Sequence, residues 1–215
     1  MIISPGRRFI FVHVPKTGGT ALSLALEARA QADDILIGDT RKARRRRGRL
    51  QGLAARGRLW KHSTLADIEG VVNAADLPGY FVLTLVRNPW DRVVSYYHWL
   101  RMQHFDHPAV TLAKGSDFTG FLQEPWLQES LRHADYASYV QAADGREHCD
   151  LFARIEHLES DLAPFEAHLG FTLTPLPRHN SSEREAGHRG HFTERTAAIV
   201  ADIAAVDIAR FGYSF

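Results

Sequence analysis

A glycine-rich turn near the start of the chain has the residue types that hold a phosphate group. It reads Pro15-Lys16-Thr17-Gly18-Gly19-Thr20 and follows a short apolar segment. Glycines let the backbone approach an anion closely, and the free N–H groups at the start of a following helix attract negative charge. Lys16 adds a mobile cation, while Thr17 and Thr20 add hydroxyl donors. We therefore predict that this turn, the phosphate loop (residues 15–20), binds a phosphate of a nucleotide.

The order of residues in the phosphate loop differs from that of the common nucleoside triphosphatase loop. In that loop the lysine follows the last glycine of Gly-x-x-x-x-Gly-Lys-[Ser/Thr], whereas Lys16 precedes both glycines. No obvious aspartate follows the later predicted strands to hold Mg²⁺. Transfer of a metal-bound γ-phosphoryl group is therefore disfavoured. Taken alone, the turn is also compatible with a structural strand–helix connection that carries a solvated lysine.

A second candidate anion site follows the next clear strand. Arg87 ends that strand, and Ser95 lies within the helix predicted to follow it. Asn88 and Ser95 are about two helical turns apart, so they share one face of that helix. An arginine can form two hydrogen bonds with a phosphate while a serine hydroxyl donates another. Two anion sites at the ends of two strands suit a nucleotide with phosphates at two positions, although an arginine before a helix can also be purely structural.

Together the two motifs resemble those of the sulfotransferases. His13-Val14-Pro15-Lys16-Thr17-Gly18-Gly19-Thr20 resembles their 5′-phosphosulfate loop, and Val86-Arg87-Asn88-Pro89-Trp90-Asp91-Arg92-Val93-Val94-Ser95-Tyr96-Tyr97 resembles their 3′-phosphate motif. The similarity is greatest to the carbohydrate-type, heparan sulfate 2-O-like family (sulfotransferase family 2) and its bacterial relatives. It continues in Arg154-Ile155-Glu156-His157-Leu158, in Asn180-Ser181 and from Asp207 to Phe215. Residues 38–61 and 102–150 match weakly.

This resemblance implies a donor, a site for it and a class of acceptor. The donor would be 3′-phosphoadenosine 5′-phosphosulfate (PAPS), with no metal required. Its 5′-phosphosulfate would be held by Lys16, Thr17, Gly18, Gly19 and Thr20, and its 3′-phosphate by Arg87 and Ser95. Lys16 would also act in catalysis, because negative charge develops on the oxygen that leaves sulfur. The acceptor would be a hydroxyl, expected on a saccharide that can itself be anionic.

The acceptor hydroxyl must lose its proton, and a neutral histidine is the natural base near pH 7. Of the twelve histidines we choose His62, which lies between the two motifs just before a predicted helix start. The family's catalytic histidine occupies a similar place, although His62 can also simply flank a helix cap. His13 is expected to pack within its strand. The second choices are His179, His188 and His191, in a C-terminal loop where Arg184 or Arg189 can add a phosphate contact.

The elements that must position these residues follow from the apolar pattern. Residues 9–14, 80–86 and 151–155 are apolar almost throughout, which is typical of buried strands, and 35–37 is a candidate short strand. Helical patterns follow after Gly19, after Asn88, over 158–169 and after Thr193. Strands therefore alternate with helices, which predicts an α/β, three-layer, P-loop-like fold with a central parallel sheet.

The composition fits one domain over residues 1–215. Of the 215 residues 45% are hydrophobic, and the single cysteine, Cys149, excludes an intrachain disulfide. The first residues are too few and too polar for a signal peptide, and no later run is long enough to cross a membrane. The expected location is cytoplasmic. The sequence does not specify the oligomeric state.

One segment is strongly basic although the net charge is only +1. Residues 41–61 contain ten Lys or Arg and no Asp or Glu. We predict a basic loop at about 38–61 that is either solvated and flexible or recruits an anionic acceptor. Nucleic acid is disfavoured because Trp60 is the only aromatic residue nearby. The alternative function is a non-catalytic protein that binds polyanions or nucleic acid on a nucleotide-binding fold.

Overall fold

Five strands form one mixed sheet in the computed structural model, which describes residues 1–176 and 187–215. The strand order is β3-β1-β2-β4-β5. The strands are β1 Ile2–Ser4, β2 Phe9–Val12, β3 Ile35–Leu36, β4 Phe81–Val86 and β5 Leu151–Arg154. The segments predicted from their apolar runs thus form β2, β3, β4 and β5.

The centre of the sheet is parallel and one side is antiparallel. β2 pairs with β4, and β4 with β5, in parallel, with Val12 opposite Thr84 and Val86 opposite Arg154. β1 pairs antiparallel with both β2 and β3. The connection from Ser4 to Phe9 is a short turn, and a short turn can only join antiparallel strands. The predicted α/β class and central parallel sheet are confirmed, whereas the apolar pattern of the sequence does not predict β1.

Alternate side chains of the sheet enter two different hydrophobic cores. Phe9 and Phe11 point to one face and Ile10 and Val12 to the other, as the two-residue period of a strand requires. The first core is completed by Leu22, Leu26, Leu162 and Phe165. The second is completed by Leu65, Ile68, Leu77 and Val140. Elements therefore cover both faces of the sheet, giving the predicted three layers.

The helices of the described residues are mostly short. In chain order they are α1 Gly19–Ala28, α2 Arg41–Arg46, α3 Pro89–Arg101, α4 Pro108–Gly115, α5 Phe118–Gln123, α6 Pro125–Arg132, α7 Tyr136–Val140, α8 Leu158–Asp161, α9 Ala163–Leu169, α10 Glu194–Ile203 and α11 Ala205–Phe211. Short 3-10 helices occur at Arg47–Leu50, Ala74–Gly79, Ile155–His157 and Arg189–His191.

The chain divides into two compact units. The sheet unit contains residues 1–86 and 136–176, with the sheet, α1, α2, α7, α8 and α9. The helical unit contains residues 87–135 and 187–215, with α3–α6, α10 and α11. It has its own core, which includes Trp90, Val94, Phe121 and Val200. The assignment of residues 1–215 to one domain stays a prediction.

Three segments differ from the sequence prediction. Residues 41–50, predicted as a loop, form α2 and a 3-10 helix. The helix predicted over 158–169 is interrupted, because Pro164 near the start of α9 has no N–H with which to continue α8. The helix expected after Thr64 is a run of turns, in which the Thr64 hydroxyl accepts from the Asp67 N–H and the Asp67 carboxylate accepts from the Thr64 N–H.

Within residues 1–176 and 187–215, no helix combines the length and the apolar character needed to cross a lipid bilayer.

Candidate functional site

The phosphate loop connects the end of β2 to the start of α1. Gly18 caps the helix in a left-handed conformation with φ 79°, and Lys16 is also left-handed with φ 66°. Left-handed residues in such turns can direct neighbouring N–H groups toward one anion. A side-chain carbon added at Gly18 would lie 3.7 Å from Ile155, so the segment after β5 packs beside the loop. The loop therefore contains two left-handed residues, a backbone feature that anion-binding turns use.

The two threonines of the phosphate loop differ in what their hydroxyls do. The Thr17 side chain is fully buried and its hydroxyl donates to the Val14 carbonyl at 2.9 Å. In this structure the one proton of that hydroxyl closes the loop internally, and the role of Thr17 in binding the donor stays a prediction. Thr20 is half-buried, and within residues 1–176 and 187–215 its hydroxyl makes no hydrogen bond.

Gly19 allows α1 to start directly against the His13 ring. A carbon added at Gly19 would lie 2.2 Å from His13 Cδ2 and 2.5 Å from Nε2. The His13 ring is buried, stacks on Phe11 at 5.7 Å and meets the His62 ring edge-on at 4.8 Å. It therefore has little room to move away. Gly19 is required for this close packing, whereas Gly18 is required for its left-handed backbone.

We expect Gly19→Ala to destabilise the protein by about 1–3 kcal/mol, the usual cost of overpacking. Alanine is intrinsically the better residue in a helix, so a loss of stability would have to come from the clash with His13. The measurement is the free energy of unfolding in urea. Gly48→Ala is the control, because a carbon added there meets nothing within 4 Å. Equal stability of the two variants would contradict the packing argument.

His62 lies beside the phosphate loop and is held by a backbone hydrogen bond. Its Nδ1 is 2.7 Å from the backbone oxygen of His13, two residues before Pro15. A carbonyl oxygen only accepts, so Nδ1 carries the proton and donates it. In the neutral ring, Nε2 then carries the lone pair and is able to accept a proton. The structure thus brings His62 to the start of the loop, next to which it was predicted to act.

Burial keeps the His62 imidazole neutral. It lowers the pKa of His62 to about 4, against a weaker opposing effect of the hydrogen bond to the His13 carbonyl. Burial also lowers the pKa of His13 well below its ordinary value. The rings of His13 and Trp60 contact His62 edge-on, at 4.8 and 5.0 Å. At neutral pH the His62 ring is therefore an unprotonated base with a fixed tautomer.

The second predicted anion site belongs to the helical unit and is built along one face of α3. Asn88 caps the helix by accepting from the Trp90 N–H, and Pro89 is the first helical residue, as predicted. The Arg87 guanidinium contacts Asp91 Oδ2 through Nε at 2.7 Å and through Nη2 at 2.6 Å. Ser95 follows Asp91 by one turn and is half-buried. Asp91 therefore holds the Arg87 side chain along the face that carries Ser95.

Comparison with known proteins gives the family. The sequence model of the sulfotransferase family matches residues 1–213. The chain belongs to the sulfotransferase family. This confirms the resemblance drawn from the phosphate loop and the Arg87 motif. Searches of curated proteins and of solved structures found no match.

The other candidate histidines of this sulfotransferase have different surroundings. His188 and His191 belong to the helical unit, where the His188 ring contacts Phe215 at 5.7 Å and the His191 ring contacts His98 at 5.2 Å. The Arg189 guanidinium donates to the Phe215 carbonyl. His179 and Arg184 lie outside the described residues, as does the Asn180-Ser181 pair.

Sequence reasoning missed two contributors to the His62 environment. It assigned His13 only to strand packing, yet the His13 carbonyl sets the His62 tautomer and its ring packs on Gly19. It considered Trp60 only as the one aromatic residue near the basic segment, yet the Trp60 ring contacts the His62 ring. Both residues are close to a predicted functional residue in sequence, and that proximity was the one signal available.

Proposed function

We propose that this sulfotransferase transfers the sulfuryl group of PAPS to a hydroxyl of a saccharide. Sulfuryl transfer follows from the family, whose members generally use PAPS. The observation that carries the proposal is the hydrogen bond from His62 Nδ1 to the His13 carbonyl, because it presents a neutral base beside a candidate phosphosulfate loop. The predicted cytoplasmic location is part of the same proposal.

In the proposed reaction the acceptor oxygen attacks sulfur in line with the leaving phosphate. A new S–O bond forms as the bond between sulfur and the bridging phosphate oxygen breaks. The acceptor proton passes to His62 Nε2, and 3′,5′-phosphoadenosine leaves with the bonding electrons. Lys16 and the N–H groups of the phosphate loop stabilise the negative charge that develops on the bridging oxygen. No metal takes part.

We further propose that Arg87 and Ser95 bind the 3′-phosphate of the donor. β2 and β4 are neighbouring parallel strands, and the phosphate loop and Arg87 each follow one of them in the chain. Ligands of parallel α/β sheets bind beyond the carboxyl ends of the strands, which supports this assignment. Asp91 would orient the Arg87 guanidinium for the phosphate.

The test of the proposed function is a calorimetric comparison of nucleotides. We expect 3′,5′-phosphoadenosine to bind more tightly than ATP, with the same affinity in Mg²⁺ and in EDTA. A phosphosulfate-type site needs no metal, whereas a triphosphate site does. If neither nucleotide binds while a sulfated polysaccharide does, the chain is the non-catalytic polyanion binder that remains the alternative.

Arg87 provides a residue-level test of the 3′-phosphate assignment. We expect Arg87→Ala to weaken binding of 3′,5′-phosphoadenosine about 10–100-fold, the effect of losing hydrogen bonds between charged groups. Adenosine 5′-monophosphate lacks the 3′-phosphate and should bind the variant and the unchanged protein equally.

The matched control for Arg87 is Arg101→Ala, which removes one exposed arginine from the end of α3, the helix that follows Arg87. Its affinity for both nucleotides should be unchanged. Equal weakening of both nucleotides by Arg87→Ala would show that Arg87 supports the fold rather than the 3′-phosphate.

A further inference from the structure

The turn that carries His62 is part of a longer loop of the sheet unit whose two ends meet. Residues 56–69, all within the described part of the chain, contain turns and bends and no helix or strand. The ends are joined by backbone hydrogen bonds of 2.8 and 2.9 Å, from Arg56 to Glu69 and from Gly57 to Asp67. Compact surface loops with adjacent ends are Ω-loops, and this segment, the His62 loop (residues 56–69), is one of them.

The second half of the His62 loop is attached to the rest of the sheet unit. The Leu65 N–H donates to the Tyr139 carbonyl at 3.0 Å, and the Ala66 N–H donates to the Gln141 carbonyl at 3.2 Å. The side chains of Leu65 and Ile68 are buried in the second core of the sheet. This half of the loop is therefore fixed by backbone hydrogen bonds and by burial.

Ser63 holds the first half of the loop, which contains His62. The Ser63 side chain is fully buried, and its hydroxyl accepts from the Trp60 N–H at 2.9 Å. The same hydroxyl lies 2.9 Å from the Arg58 carbonyl and 2.9 Å from the Trp60 carbonyl, and its one proton can go to either. The Ser63 N–H also donates to the Trp60 carbonyl at 2.9 Å. One residue thus closes the backbone around His62.

Two restraints therefore act on His62, one on its backbone and one on its ring. Ser63 fixes the turn from which the His62 side chain projects. The His13 carbonyl accepts from His62 Nδ1 at 2.7 Å and sets the tautomer of the ring. Because hydrogen bonds weaken steeply when donor and acceptor lose alignment, the bond to His13 requires the turn to stay in place.

Ser4 offers a comparison, because it is a serine of the same unit with a similar local structure. Its side chain is fully buried, and its hydroxyl accepts from the N–H of Arg7, three residues away, at 3.4 Å. Ser4 pairs with Phe9 at the start of β2, whereas His13 follows the other end of that strand. Ser4 therefore stabilises a turn that is remote from the bond between His62 and His13.

We propose that Ser63 is a positioning residue for the reaction, which keeps the His62 ring bonded to the His13 carbonyl and so keeps Nε2 as the proton-accepting nitrogen. This inference rests on the proposed function, in which His62 is the base. Ser63 acts through His62, because its own hydroxyl is bonded to backbone atoms of the His62 loop.

The decisive measurement is the tautomer of His62, which needs neither donor nor acceptor. The ¹⁵N NMR shifts of a neutral histidine ring show which nitrogen carries the proton, and the His62 signals are assigned by their loss in His62→Asn. We expect the proton on Nδ1 in the unchanged protein and a mixture of both tautomers in Ser63→Ala at neutral pH. A proton that stays on Nδ1 in Ser63→Ala would overturn the inference.

Transfer kinetics provide the second readout, with labelled PAPS as donor and a neutral N-acetylglucosamine oligosaccharide as acceptor. We expect Ser63→Ala to lower kcat about 10–100-fold, the effect of misplacing a reacting group by about 1 Å. KM for the oligosaccharide and the affinity for 3′,5′-phosphoadenosine should stay nearly unchanged. Ser63→Thr keeps the hydroxyl and should restore most of kcat. A variant that raises KM and leaves kcat unchanged would contradict a positioning role.

Ser4→Ala is the matched control for a purely structural effect. It removes a fully buried serine hydroxyl that also accepts a backbone N–H, so it should lower the free energy of unfolding in urea. The His62 tautomer and kcat should not change. If Ser63→Ala alters both readouts no more than Ser4→Ala does, Ser63 serves the fold and not His62.

A second variant keeps the inference testable if Ser63→Ala does not fold. Ser63→Cys preserves the packing but replaces the hydroxyl with a thiol, which is a weaker donor and acceptor. It should show a smaller loss of the Nδ1-protonated form and of kcat than Ser63→Ala is expected to show. Unchanged values of both in a folded Ser63→Cys protein would refute the inference.

Failure of this inference and failure of the proposed function give different results. Full activity in His62→Asn would remove the proposed base, and with it the positioning role of Ser63. An inactive His62→Asn, together with a normal tautomer and normal kcat in Ser63→Ala, would refute only the assignment of Ser63. Binding of 3′,5′-phosphoadenosine to each variant shows that the nucleotide site is intact in the samples compared.

Discussion

Replacing His62 with asparagine is expected to lower the rate of sulfuryl transfer about 10²–10⁴-fold, the usual contribution of a general base. Asparagine can still donate an amide N–H to the His13 carbonyl, the bond that His62 Nδ1 makes at 2.7 Å. It has no basic nitrogen to accept the proton of the acceptor hydroxyl. The measurement is transfer of labelled sulfate from PAPS, together with the affinity for 3′,5′-phosphoadenosine, which should stay nearly unchanged.

Two comparisons make the His62 result specific. His62→Ala removes both the base and the hydrogen bond, so it should be at least as inactive as His62→Asn and also less stable. His133→Ala changes an exposed histidine of the helical unit and should keep full activity. Near-normal turnover in His62→Asn would exclude His62 as the base.

The lowered pKa of His62 also sets the pH dependence of this result. The ring is a base only when neutral, and its pKa in the folded protein is about 4. The pH profile of kcat/KM should therefore show no histidine-dependent decrease between pH 8 and 5, and activity should fall as the pH drops toward 4.

Folding stability should change over a related pH range. The pKa values of His62 and His13 are lowered from 6.5 in the folded protein, so the unfolded chain takes up protons first as the pH falls. Above pH 6.5 both rings are neutral in the folded and in the unfolded protein, so burying them costs no protonation free energy. The free energy of unfolding then decreases as the pH falls from 6.5 toward the folded pKa values. Unfolding must therefore be measured at each pH, so that a loss of activity is not confused with a loss of structure.

Replacing Lys16 with alanine is expected to lower transfer about 10²–10³-fold, the usual effect of removing one group that stabilises a developing anion. The residue lies in the phosphate loop, and its amine is proposed to stabilise charge on the bridging oxygen. Binding of 3′,5′-phosphoadenosine should weaken much less, because that product lacks the sulfuryl group and the developing charge. The measurement is labelled-sulfate transfer under single-turnover conditions.

The left-handed backbone of Lys16, with φ 66°, allows a more informative pair of variants. Lys16→Gly removes the amine and suits this conformation, whereas Lys16→Ala removes the amine and keeps the strain. Both should be equally inactive, while Lys16→Gly should be the more stable. Lys114→Ala, at an exposed lysine of α4, is the control. If Lys16→Gly were active and Lys16→Ala inactive, loop conformation and not the amine would be responsible.

The sequence predicted those parts of the fold whose signals are local. β2, β4 and β5 were evident from short apolar runs, and the start of α3 was evident from Asn88 followed by Pro89. β1 was not predicted, because three residues cannot show a periodicity. The break between α8 and α9 was missed although Pro164 marks it, because the apolar spacing continues across the proline.

The residues of the candidate site stay sequence predictions, and the hydrogen bonds that they make could not be predicted from the sequence. The Thr17 hydroxyl was assigned to the ligand because hydroxyls bind phosphates, yet it donates to Val14, three residues earlier in the chain. The order in segment 41–49 depends on carbonyl oxygens of Glu27, Gln31 and Ala32, which only tertiary structure brings near it. Side-chain composition alone does not show where such backbone acceptors will lie.

The bond between His62 and the His13 carbonyl has a consequence for substitutions elsewhere in the sheet unit. The proposed base is oriented by the carbonyl of His13, the residue that follows β2. A backbone carbonyl is present whatever side chain stands at position 13. Exposed side chains elsewhere in the sheet unit can therefore be replaced without removing the hydrogen bond that fixes the His62 tautomer.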